Sequence, residues 1–199
     1  MALFKQDFVR SKRWWIAIGI LLCATFYPTD LEAHYSESRN GRDNHLVVGV
    51  EEYGRHLNTI IPIVIAIALR DVGGLKQAAA IVFTGIVASH GPKRLLNDVE
   101  VMGTRLGERP KSSDSRHNMP SGHSTLASAG AYYTVRRYSH WLGLIVWPVL
   151  FLTMYARFML DAHTVSATIA GAMTGILVAA LFTRPSFRFR RLMVTLLAR

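Results

Sequence analysis

Cysteine is almost absent from this chain of 199 residues: Cys23 stands alone, which excludes an intrachain disulfide. The eight His residues have no Cys partners at finger-like spacing, so a structural zinc site is excluded as well. Acid is scarce: 13 Asp and Glu face 23 Lys and Arg, for a formal charge of +10. Half of the residues are nevertheless hydrophobic. A nucleic-acid binder would account for the charge but not for the way the apolar residues gather into blocks between short charged turns. Those blocks indicate a membrane protein with basic flanks.

Residues 1–13 are basic, with Lys5, Arg10, Lys12 and Arg13, and Trp14 to Phe26 follow as the first apolar block. The small-x-small pattern of a cleaved leader is missing, so this block is read as a short transmembrane helix anchored by Trp14 and Trp15. A mostly acidic stretch runs from Thr29 to Arg55, in which residues 46–50 are too short to span and read as interfacial. The blocks at residues 57–69 and 77–89 fall short of the ~20 residues of an upright span, so their flanks must contribute. Residues 93–119 are polar and basic, and too long for a simple turn. Residues 124–135, rich in Ala, Ser and Gly, predict a helix inside a bundle. The last blocks are residues 141–156 and 165–183, the latter with Gly171 and Gly175 at small-xxx-small spacing. Arg-rich residues 184–199 read as an amphipathic tail on a membrane surface.

The expected architecture is all-α: a single membrane-embedded domain over residues 1–199, built as a six-transmembrane helix bundle. Six spans place both termini and their basic clusters on the cytoplasmic side. Residues 93–119 then lie outside although they too are basic, and an anionic substrate explains that exception. This topology gathers Lys93, Arg109, the helix start at Ser121-Gly122-His123, Arg157 and His163 at one membrane face. Guanidinium forks match phosphate oxygens, and helix-start amides hold developing negative charge. One imidazole is suited to attack phosphorus while the other protonates the leaving oxygen.

Arg109-Pro110, Pro120-Ser121-Gly122-His123, and Arg157 with five residues before His163 resemble the three motifs of the type 2 phosphatidic acid phosphatase family. The resemblance implies that His163 is the nucleophile and forms a phosphohistidine, and that His123 is the general acid. It further implies that Lys93, Arg109, Ser121, Gly122 and Arg157 bind phosphate, with catalytic motifs in 93–167, no metal and no cofactor. The implied partners are the bilayer and a phospholipid or isoprenoid-lipid phosphate, without nucleic acid. The implied location is a bacterial inner membrane with the active site facing the periplasm.

Candidate substrates are undecaprenyl diphosphate, phosphatidylglycerol phosphate, phosphatidic acid and lipid A. Lipid-to-lipid phosphotransfer and a catalytically impaired lipid-binding relative are the alternatives. The sequence departs from the family pattern in three places, the mildest being Ala156, where Ser is common before the motif Arg. The usual first-motif Lys position is Met102, so Lys93 is assigned to that role, residues 97–105 read as an insertion, and Arg105 is the rival. The Asp expected four residues after the nucleophile is Ala167, so another group must orient His163. The candidates are Asp161, Thr164, Ser166 or a backbone carbonyl, and Ala167→Asp is expected to be tolerated.

Overall fold

The computed structural model describes residues 11–31 and 39–186. It is a bundle of α-helices with one small hairpin. The helices are α1 (Lys12–Thr25), α2 (His45–Gly49), α3 (Arg55–Ala68), α4 (Val72–Leu95), α5 (Gly122–Arg137), α6 (Gly143–Met159) and α7 (Val165–Phe182). A π-helical turn, Val50–Gly54, joins α2 to α3, so residues 45–68 form one continuous helical run. The stretch at 46–50, expected to lie separately at the interface, is therefore the start of the second long helix. It supplies the flank that the short apolar block at 57–69 needed. The insertion expected at 97–105 forms a two-stranded hairpin, β1 (Glu100–Val101) and β2 (Thr104–Arg105). Three helical stretches, Val72–Leu95, His140–Met159 and Val165–Phe182, are long and apolar enough to cross a membrane among the described residues.

Hydrophobicity is inverted relative to a water-soluble bundle. Phe83 and Phe151 are 71% and 64% exposed, and Ile67, Leu144 and Trp141 also face outward. The interior of α5 and α7 is instead Ala, Ser, Thr and Gly. Small interior residues and an apolar exterior are what close packing in lipid produces, because lipid gives helices no hydrophobic reason to hide large side chains.

Helix α5 is the axis of the bundle and packs against α3, α4, α6 and α7. Gly171 and Gly175 of α7 lie directly on the Ser121 and Thr125 carbonyls of α5, where a Cβ would collide with backbone. The expected small-xxx-small spacing is thus a helix–helix seam. Asn58, fully buried on α3, donates from Nδ2 to the Ala127 carbonyl at 3.1 Å and the Val146 carbonyl at 2.8 Å. One amide therefore ties α3 to both α5 and α6, in surroundings where those carbonyls would otherwise gain no such extra partner.

At the far end of the bundle Arg137 is buried rather than free. It bonds both oxygens of Asp71, at 2.7 and 2.8 Å, and the Arg184 carbonyl at 2.6 Å. Arg137 is thus a structural lock rather than a free surface charge. The tail expected to lie on the membrane falls, from residue 187 onward, outside the described residues.

Candidate active site

Each cation of the site is delivered by a different element. Lys93 lies in the last turn of α4, and its Nζ is 3.8 Å from where a Cβ on Gly122 would sit. Arg109 comes from the loop between β2 and α5. That loop is knit by its own polar groups: Asn97 Oδ1 accepts from the His117 amide at 3.1 Å, the Gly107 carbonyl from the Asn118 amide at 2.9 Å, and Arg109 Nη2 donates to the His117 carbonyl at 3.2 Å. Arg105, the rival for the first-motif role, is spent within the loop. It bonds the Ser113 carbonyl at 2.6 Å and sits 3.8 Å from both Asp98 and Glu108. Arg157 closes the set from the last turn of α6, largely buried. Burial, and then the charge of Arg157, hold Arg109 below its ordinary value, as expected where cations crowd without a ligand between them.

The second contribution is the start of α5. Ser121 caps it, its hydroxyl accepting from the Ser124 amide at 3.5 Å and the Ser124 hydroxyl at 3.1 Å. Its own N–H donates to the Ala167 carbonyl at 2.9 Å, and the residue is fully buried. This corrects the expectation that the Ser121 amide binds phosphate: that amide is committed to α7. The remaining first-turn donors belong to Gly122 and His123, which have no intrahelical acceptor. His123, half-buried beside them, lies within electrostatic reach of Arg157, Glu51, Arg55 and Lys93.

The third piece is the loop from Arg157 to His163. The Arg157 carbonyl accepts from the Ala162 and His163 amides, at 3.1 and 3.3 Å, while Asp161 takes a left-handed φ of 52°. Arg39 pairs with Asp161 and stacks 4.0 Å from the Phe158 ring, pinning the loop from outside. His163 is 2% exposed, and its Nδ1 donates to the Asn118 main-chain carbonyl at 2.8 Å. The orienting group is thus a backbone carbonyl, but from the segment before the Pro120-Ser121-Gly122-His123 motif rather than from residues 164–166. Asn118 also clasps the next residue: its Nδ2 donates to Thr164 Oγ1 at 3.2 Å and its Oδ1 accepts the Thr164 amide at 3.1 Å. Burial, followed by the charges of Lys93, Arg157 and Arg109, holds His163 well below the ordinary imidazole value. A neutral ring with Nδ1 protonated leaves Nε2 with a free lone pair.

Sequence reasoning missed Asn118, the Arg39–Asp161 clamp, and two members of the charge cluster. Glu51 Oε1 accepts from Arg157 Nη1 and from Arg55 Nη1, both at 2.6 Å. The π-helical turn that carries Glu51 leaves no readable trace in the hydrophobic pattern. A polar cavity of about 360 Å³ opens over Glu51, Arg109, Arg157 and Ala162. A larger one, about 660 Å³ and apolar, lies between α1 and α7, lined by Ile20, Cys23, Phe158 and Ile169. Its rim includes Pro110 and Thr164, the chain neighbours of Arg109 and His163. Among the described residues no three His, Cys, Asp or Glu side chains gather as a metal site.

Converging cations, a helix start and an oriented imidazole, at one end of a bundle with an apolar exterior, define a membrane-embedded phosphatase. Residues 75–191 match the profile of the PAP2 superfamily, and the chain belongs to that family. It is similar to the lipid A 1-phosphatase of Helicobacter pylori strain J99, with 34% identity over 199 aligned residues, 92% of this chain and 96% of that protein. The protein of the same name from Helicobacter pylori strain 26695 is 39% identical over 135 residues, 68% of this chain and 70% of its own. No solved structure matches the chain.

Proposed function

We propose that this lipid phosphatase hydrolyses the phosphate monoester of a sugar-based lipid of the lipid A type, at the periplasmic face of a bacterial inner membrane, through a phosphohistidine on His163. In this reading all six long helical stretches, α1 and α5 included, span the bilayer as one domain. The observation that carries the mechanism is the Nδ1 bond of His163 to the Asn118 carbonyl, which leaves Nε2 bare on a ring within electrostatic reach of Lys93, Arg109 and Arg157. Nε2 attacks phosphorus, the bond from phosphorus to the lipid oxygen breaks, and His123 gives its proton to that oxygen. A water then attacks the phosphohistidine, His123 takes its proton, and orthophosphate leaves. Lys93, Arg109, Arg157 and the first-turn amides of Gly122 and His123 hold the charge that develops on the phosphoryl oxygens. The apolar cavity between α1 and α7 suits an acyl chain, with its rim beside the reacting group.

The lipid A assignment leans on the names of the two relatives; the residues themselves support phosphate-ester hydrolysis. The ground for an inactive lipid-binding relative was the missing Asp at Ala167; the contact of His163 with the Asn118 carbonyl supports the active reading instead. Phosphate release should be measured in detergent from lipid A, phosphatidic acid, phosphatidylglycerol phosphate and undecaprenyl diphosphate, with His163→Ala as the control. Acid-labile phosphate should map to His163 by mass spectrometry. Its appearance on His123, or full activity in His163→Ala, overturns the assignment of roles. Phosphate moved to a second lipid rather than to water would make the enzyme a phosphotransferase.

A further inference from the structure

The ion pair between Glu51 and Arg157 is not a completed structural bridge. A structural pair satisfies its polar atoms, yet here Glu51 Oε2 and Arg157 Nε are both buried without a partner among the described residues, and so is Arg109 Nε. All three residues line the same polar cavity. Unfilled donors on two guanidiniums describe an anion site, and one oxygen of a carboxylate sits at its edge. The other carboxylate oxygen, Oε1, accepts from both Arg157 Nη1 and Arg55 Nη1, the latter one turn further along the helical run. Glu51 therefore has a second cation to rest on if Arg157 turns to another anion, and its charge is never left unpaired.

Resting on the phosphatase reading, we propose that Glu51 is a specificity-determining residue of the phosphate site, a resident counter-ion that holds Arg157 in the empty enzyme, yields it to the phosphate of the lipid, and reclaims it as orthophosphate leaves. Its chemical necessity lies in the product. Lys93, Arg109, Arg157 and a helix start suit the charge of a phosphoryl transition state, but they also suit orthophosphate, which is a mixture of monoanion and dianion at neutral pH. Binding ground state and product as tightly as the transition state lowers KM without raising kcat. A competing carboxylate weakens the static dianion. It costs the transition state less, because there the breaking bond spreads charge toward His123 and the leaving oxygen. The π-helical turn at Val50–Gly54 is the local device that turns Glu51 toward α6 while Arg55 stays one turn away.

The test is orthophosphate binding to the full-length protein in detergent by titration calorimetry, alongside inhibition of lipid dephosphorylation by orthophosphate. Glu51→Gln keeps the shape and removes the charge. It should tighten orthophosphate binding and product inhibition by tenfold or more and lower KM. Asp114→Asn, an exposed acid that does not line the cavity, should bind orthophosphate as the unmodified protein does. Arg55→Gln removes the resting place of Glu51 and should weaken orthophosphate binding severalfold, which provides a second reading if Glu51→Gln does not fold. Unchanged or weaker orthophosphate binding in Glu51→Gln, or unchanged binding in Arg55→Gln, overturns the proposal. An unmodified protein that binds orthophosphate but releases none from any lipid would sink the hydrolase reading while leaving the exchange standing.

Discussion

His163 gives its Nδ1 hydrogen to the main-chain carbonyl of Asn118, 45 residues earlier in the chain and 2.8 Å away. A carbonyl only accepts, so the bond fixes the tautomer as firmly as a carboxylate does. It adds no negative charge, however, and so supports a positive imidazole less well.

Because the side chain of Asn118 clasps Thr164 at two atoms, it holds its own carbonyl in register with His163. Asn118→Ala keeps the carbonyl and loses the clasp. We expect kcat to fall by about tenfold or more, equivalent to ~1.4 kcal/mol, with a smaller change in KM. Steady-state kinetics on the preferred lipid checks this, and an equal rise in KM with kcat intact would contradict it.

Restoring the family carboxylate looked harmless in the sequence, but the structure reverses that expectation. Ala167 is fully buried against Ala24, Leu106, Met119 and Ala170, and its carbonyl already holds the Ser121 amide. A charged hydrogen bond to His163 returns about 1.5–3 kcal/mol, whereas a carboxylate desolvated there costs several. Ala167→Asp should lower the unfolding temperature in detergent and reduce activity. A variant as stable as the parent and faster would show that the carboxylate reaches Nδ1.

Stability should rise with pH across the ordinary imidazole range. The unfolded chain takes up a proton at His163 near the ordinary imidazole value of 6.5, whereas burial and three neighbouring cations delay that uptake in the folded chain. Below pH 6.5 the unfolded state thus binds more protons and is favoured. His117, lowered by partial burial and then by Lys93, acts in the same direction. Thermal unfolding should occur at lower temperature at pH 5.5 than at pH 7.5, and His163→Asn should flatten the difference.

Catalysis is expected to survive chelation, because Lys93, Arg109 and Arg157 occupy the place that a divalent ion takes in other phosphoryl-transfer sites. Phosphate release assayed in EDTA should match the untreated rate. Complete loss, restored by magnesium, would count against the mechanism.

The six-span arrangement predicts that Ser113, exposed on the loop carrying Arg109, faces away from the cytoplasm. With Cys23→Ser as background, a cysteine at 113 should react with an impermeant maleimide added to intact cells or spheroplasts. Reaction only from the cytoplasmic side would dismantle both the topology and the placement of the site.

The residues that fold local backbone were readable in the sequence. Pro120-Ser121-Gly122 marks a cap and a helix start, Gly171 and Gly175 mark a close seam, and Lys93 follows its apolar block at the right distance. What stayed hidden depends on distant pairing. Asn118 reads as an ordinary loop residue until residue 163 is folded against it. Glu51 reads as one acid among several until a π turn aims it at α6, because the turn falls in a polar stretch with no hydrophobic pattern to register its shift in phase. Ser121 was legible as a cap, but the destination of its amide was not, since a sequence shows donors without showing which are already engaged.

The seam between α5 and α7 makes the catalytic geometry partly a matter of leverage. Gly175 lies on the Thr125 carbonyl and the Ser128 hydroxyl, and one turn nearer the site Gly171 lies on the Ser121 carbonyl. A methyl group at 175 would act as a wedge, prying Ser121 from Ala167 and tilting the α5 amides relative to His163. The spacing of α5 and α7 beneath the site is thus set at two buried glycines. Mutational searches for altered headgroup preference should find productive changes along this buried hinge as well as in the chamber walls.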